Sequence, residues 1–181
     1  MKGAPVEWGD YRPFQPVEDG PMEDMSPVAA RREYEHRMAT KGERLAVLAT
    51  LVGANGLRLG TDDEALDALE GWYLAEVEPE AEGATRPRPQ WIAVAYDLGL
   101  HLGDTIIARA PGLSWTFYRS RAGARDVAHQ HPVIMGFTQL RNKRYNVDPF
   151  PFAVGTGGSS LGGRDARGSF RNFVDSAVLY A

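Results

Sequence analysis

Apolar residues recur along two adjoining stripes between Trp91 and Ile107. Trp91, Ala95, Leu98 and Leu102 form one, and Ile92, Tyr96, Gly99, Gly103 and Ile107 the other. A helix apolar over so wide an arc is buried on most sides. The chain then passes through Pro111-Gly112 into LSWTFYRS and PVIMGFTQL, whose aromatic and β-branched content predicts strands over 114–119 and 133–140. Residues 90–140 are therefore expected to hold the core, with Trp91, Leu98, Leu102, Trp115 and Phe137 largely buried. Gly99 and Gly103 each cost about 1 kcal/mol against alanine inside a helix, so their presence predicts close approach by another element.

Upstream, Ser26-Pro27 reads as a cap followed by proline at the first helical position, opening a helix toward Val52. Its first half is charged (VAARREYEHRM) and its second apolar (LAVLATLV), with a break expected at Gly42. Thr61 and Glu64 have capping-box spacing before a helix that places Leu66, Leu69, Trp72, Tyr73 and Val77 on one side. Residues 79–89 form a polar connector. Downstream, Pro149 and Pro151 restrict 147–154 to an edge strand, and GTGGSSLGG over 155–163 reads as a flexible loop. Residues 164–179 form an amphipathic helix with Phe170, Phe173, Val174, Ala177 and Val178 on one face.

Residues 1–26 differ from the rest. Pro5, Pro13, Pro16 and Pro21 oppose a helix, while Trp8, Tyr11 and Phe14 recur every three residues. Large aromatics in a polar arm pack on something, either a groove of their own domain or a partner, and a partner-binding role is assigned to these three. The fold expected is α+β: N-terminal helices, a long buried central helix, a small antiparallel sheet and a C-terminal helix. The arm precedes a single domain over 27–181, divided into a helical hairpin (27–78), the connector and a core (90–181).

A chain of 181 residues suits one domain, burying roughly 70% of its unfolded surface. It has no cysteine, which excludes disulfides, thiolate nucleophiles, zinc–thiolate sites and iron–sulfur clusters. No stretch approaches the roughly 18 apolar residues of a membrane span, and the N-terminus lacks a signal-peptide core, so a cytoplasmic protein without a membrane partner is expected. Residues 1–90 hold ten Lys and Arg against eighteen Asp and Glu (−8), and residues 91–181 ten against six (+4). Either the acidic half faces the basic half, or an anionic partner docks on the latter's arginines.

Candidate chemistry is sparse. Asp97, His101 and Asp104 share a helix face, with the imidazole between two carboxylates, and His129 and His131 alternate before the second strand. Together they have the donor types of a nitrogen–oxygen metal site, against the alternative of a solvated strip and turn histidines. Glu33 and His36 have the spacing of one half of a di-iron pair but lack the other half. Arg141, Lys143 and Arg144 form a basic turn, and Arg164, Arg167 and Arg171 a basic stripe beside the glycine-rich loop; both are candidate anion sites. Negative net charge and the lack of a recognised motif argue against nucleic acid. No cofactor is implied.

The pattern WIAVAYDLGLHLGDTIIARAPGLSW, followed by PVIMGF and a later Asp-Pro, resembles small uncharacterised bacterial α+β proteins, some of them regarded as immunity or accessory factors. The resemblance spans about fifty residues and brings no catalytic residues with it. It implies a non-catalytic bacterial protein acting by protein–protein binding, as an immunity-type inhibitor or an accessory subunit, with a homo-oligomer also possible. The alternative is a metal-dependent or phosphate-recognising enzyme built on Asp97, His101, His129 and His131.

Overall fold

A computed structural model describes residues 5–181. It contains five helices, α1 (Pro27–Ala54), α2 (Asp63–Glu76), α3 (Pro89–Arg109), α4 (Pro149–Leu161) and α5 (Ser169–Leu179). Strands β1 (Ser114–Phe117) and β2 (Pro132–Met135) pair antiparallel, with Trp115 opposite Ile134. The fold is α+β. Among the described residues no helix is long and apolar enough to cross a membrane.

Helix α3 is the axis of the core, packing against α1, α4 and α5. Trp91, Leu98 and Leu102 are fully buried and Phe137 nearly so, while Trp115 is only half-buried, its indole N–H donating to Asp104 at 2.8 Å. The two glycines of α3 admit two different neighbours. A Cβ on Gly99 would lie 3.1 Å from the Cα of Phe150 in α4, and one on Gly103 would occupy the space of the Trp115 ring. Gly103→Ala should therefore lower stability by about 1–3 kcal/mol through overpacking, despite the roughly 1 kcal/mol that alanine gains in helix propensity. Urea denaturation midpoints measure this, and an unchanged or raised midpoint would refute the packing.

Several expected boundaries move, each for a physical reason. Helix α1 runs unbroken through Gly42, because ion pairs from Lys41 to Asp104 and from Arg44 to Asp97 fasten it to α3 on either side. The cap of α2 is Asp62, not Thr61; its carboxylate accepts from the Ala65 N–H at 3.1 Å and is clamped by Arg58 at 2.7 and 2.8 Å. The strands are shorter than predicted, and of the expected edge strand only Val147 pairs, with Ile134. From there the prolines act as helix starters: Asp148 caps α4, accepting from Phe150 N–H at 3.1 Å, and Pro149 takes the first position.

Residues 155–161 of the glycine-rich segment are not a loop but the second half of α4, and Gly162 and Gly163 follow its end. Its small residues are needed there, because a Cβ on Gly157 would collide with the Tyr73 hydroxyl and one on Gly158 would sit 2.9 Å from the Thr85 carbonyl. Packing thus overrides poor propensity. Helix α5 starts later than expected, after Gly168 at φ 78°, and is capped from outside its own sequence. The buried Glu70 carboxylate of α2 accepts from the N–H groups of Gly168 and Phe170, the latter at 2.8 Å.

Candidate functional site

The arm is a strap laid along α1. At one end Glu7 and Asn55 exchange two hydrogen bonds of 3.0 Å, backbone to side chain. Next, Arg44 donates to the Arg12 carbonyl at 2.7 Å, His36 Nε2 meets the Gln15 carbonyl at 3.1 Å, and Glu33 accepts from the Val17 N–H at 2.9 Å. The strap therefore runs antiparallel to the helix. It is not extended throughout: a turn at Gly9-Asp10, with Gly9 at φ 48°, is closed by the Tyr11 N–H on the Trp8 carbonyl at 3.0 Å.

The three arm aromatics are seated on their own domain. Trp8 meets the buried Trp91 edge-on with centroids 5.1 Å apart, and Phe14 packs on His36 and under the Arg37 guanidinium at 4.6 Å. Tyr11 donates to Asp97 Oδ2 at 2.7 Å. Burial first, then the charge and hydrogen bond of Asp97, push the Tyr11 hydroxyl far above its ordinary pKa, so it stays a donor.

Asp97 is the centre of this arrangement. It is almost wholly buried and takes Arg44 in a two-pronged pair at 2.6 and 3.0 Å. Burial works against the Arg44 charge, but the hydrogen bond and charge of Asp97 outweigh it and hold its pKa above the usual arginine value. At Asp97 burial outweighs the hydrogen bonds from Arg44 and Tyr11 and the Arg44 charge and raises the carboxyl pKa above its ordinary value, and both side chains are consumed internally.

The expected solvated strip does not exist, since Asp97 and His101 are both buried. Nor do the five candidate metal ligands converge. The His101 ring meets the Gly60 carbonyl at 3.0 Å, and burial, more than that bond offsets, lowers its pKa. Such a histidine is neutral and carries its hydrogen on Nε2. Asp104 holds Lys41 and Trp115, and His129 Nδ1 accepts from the Ser120 N–H at 3.1 Å. Among the described residues no group of three His, Asp or Glu is placed to hold a metal ion.

His131 is bracketed by two carboxylates. Its Nδ1 lies 2.8 Å from Asp148 Oδ2 at the cap of α4, and its Nε2 lies 3.0 Å from Glu23 Oε2 in the strap's 3-10 turn, Met22–Asp24. Beside it Gln130, at φ 65° and buried, donates its amide to the carbonyls of Met22 and Met25, both at 2.9 Å. A non-glycine residue in left-handed conformation persists only where its surroundings enforce it. Here the backbone is held by the Gln130 N–H, which donates to the Tyr118 carbonyl at 2.6 Å, and by the Tyr118 N–H on the His131 carbonyl at 3.0 Å, while the side chain grips the strap.

The basic clusters are partly spent. Arg164 and Arg167 precede α5, so no three-arginine stripe runs along it. Arg167 pairs with Asp165 at 2.8 Å and Arg171 with Asp67 at 3.1 Å. In the turn, Lys143 reaches the Thr138 carbonyl at 3.4 Å, Arg144 bonds the Arg119 carbonyl and lies over Tyr118, and Arg141 is exposed. The charge asymmetry is in part internal, because Asp63 holds Arg109 at 2.8 Å and Glu23 holds His131 across the two halves.

Beneath the strap lies a cleft of about 240 Å³, bounded by Phe14 and Pro16 above and by Ile92, Tyr96, Leu100 and Phe150 below. A second cleft of about 160 Å³ shares Arg37, Tyr96 and Phe150 with it and reaches His131. The strap, its polar anchors and these clefts make up the candidate site. Glu33, Arg44, Asn55 and Gln130 were not singled out from sequence as its anchors. The one available signal was the Glu33–His36 spacing, which marks the face of α1 under the strap. No protein-family model, curated protein or solved structure matches the chain.

Proposed function

We propose that the protein acts by binding another protein, as an immunity-type inhibitor or an accessory subunit of an assembly, through the groove that its own strap covers. The observation that supports this is how the strap is held. Side chains of Glu33, His36, Arg44 and Asn55 take up backbone N–H and C=O groups of a non-helical segment, Gln130 holds the 3-10 turn that follows it, and half-buried seats take aromatics three residues apart. These are the means by which domains hold extended peptides: polar groups for the main chain, and pockets for spaced side chains. A strap on such a groove is also an internal competitor for it.

Reciprocal affinity purification from the native host tests the reading, using the tagged full chain and its Tyr11→Phe variant, which loses the bond to Asp97. One protein should be recovered in stoichiometric amount, should recover this chain when itself tagged, and should come down in higher yield with Tyr11→Phe. Equal yield from both baits counts against the groove. A chain that remains alone in both counts against protein binding.

A further inference from the structure

Glu23–His131–Asp148 joins three separate pieces of the chain: the strap, the start of β2 and the cap of α4. Both flanking groups are carboxylates, which in ionised form only accept. A neutral imidazole carries one N–H and one lone pair, so it satisfies one carboxylate and turns its lone pair toward the other. Both contacts are made together only when both ring nitrogens carry hydrogen.

We infer that His131 is a proton-dependent latch for the strap, closed when the imidazole is protonated and loosened when it is neutral. The link to groove opening rests on the reading of the covered groove as the binding surface; the latch itself does not.

The surroundings set the pH window. Burial alone lowers the His131 pKa, but the hydrogen bond and charge of Asp148, followed by those of Glu23, outweigh it and raise the pKa above 6.5. For Glu23, burial raises the carboxyl pKa, yet its own backbone N–H and His131 bring it net below 4.5. Stability from a raised histidine is fully present below its unfolded pKa and lost as pH rises through the folded one; that from a lowered carboxyl is lost as pH falls through its folded pKa. The latch is therefore closed across mildly acidic pH and opens on the alkaline side. The other groups facing the imidazole are Asp126 in the preceding turn, with His129 beside it, and Arg37 of α1 and Tyr96 of α3 across the smaller cleft.

Gln130 gives the latch a mechanical consequence. Its strained backbone adjoins His131, and its amide holds the carbonyls of Met22 and Met25. When the neutral ring keeps its one hydrogen toward Asp148, the contact to Glu23 is lost and the strap's 3-10 turn is left on these two bonds and the buried Met22 side chain.

The test is amide hydrogen exchange of the full chain, corrected for intrinsic rates, beside NMR titration of the His131 ring. Each unit of pKa elevation in the closed form corresponds to about a tenfold change in the closed-to-open ratio. Protection of residues 17–25 should fall as pH rises through the measured His131 midpoint, by about tenfold for each unit that midpoint lies above a free imidazole's, while α3 stays protected. In His131→Gln the step should vanish. Glu23→Gln, in the half-exposed turn, should move the ring midpoint and the exchange step down together. A flat profile, a step away from the ring's midpoint, or a step that persists in His131→Gln overturns the latch. Because no partner is present, such a result leaves the binding proposal standing; conversely, failure to recover a partner leaves the latch intact.

Discussion

Asp97→Ala should lower the unfolding free energy by about 3–5 kcal/mol, because it strands the Arg44 guanidinium in a buried site without a counter-charge. The Arg44 side chain is only 9% exposed; besides Asp97 it meets the Arg12 carbonyl and lies over the Tyr11 ring at 5.6 Å, neither of which carries a negative charge. A cation so placed cannot regain its hydration without dislodging the strap. For a domain of this size that loss is roughly a 6–20 °C fall in melting temperature, a large share of the 5–15 kcal/mol typical of native proteins. Replacing both charges, as Asp97→Leu with Arg44→Met, should recover much of the deficit, since apolar replacement of a buried pair is often neutral. If the double variant melts no higher than Asp97→Ala, the damage arises from lost packing instead.

That pair also shows where the sequence was legible and where it was not. Helix α3, its glycines and the strand that follows were readable because each is fixed by local pattern: apolar stripes, residues without a side chain, and β-branched runs. Asp97, His101 and His131 were visible as unusual polar residues. Their partners were not, because Tyr11, Gly60 and Glu23 lie 86, 41 and 108 residues away. Local spacing cannot report contacts closed by the strap, as for Tyr11 and Glu23, or by the turn before α2, as for Gly60. The glycine-rich helix α4 failed for a related reason: Tyr73 and Thr85, distant in sequence, require the small residues that local composition reads as a loop. Pro149 carried two meanings, edge-strand breaker and helix opener, and Asp148 before it was the signal that favours the second.

Trp91→Ala tests the junction of core and strap. The side chain is fully buried and touches three rings, Trp8 of the strap and Trp72 and Tyr73 of α2, at centroid distances of 5.1, 5.5 and 5.9 Å. Removing it opens a cavity between α2 and α3 and takes away the seat of Trp8, with an expected loss of about 3–5 kcal/mol. Trp8→Ala removes only the strap's side of the contact, at a half-buried position, and should cost less. The two differ in kind as well as size. Trp8→Ala should raise hydrogen exchange in the strap around residues 6–12 while α2 and α3 keep their protection. Trp91→Ala should raise it in the strap and in both helices together. If Trp8→Ala also deprotected α2 and α3, the strap would be an integral part of the core, and its proposed displacement by a partner would require partial unfolding of the domain.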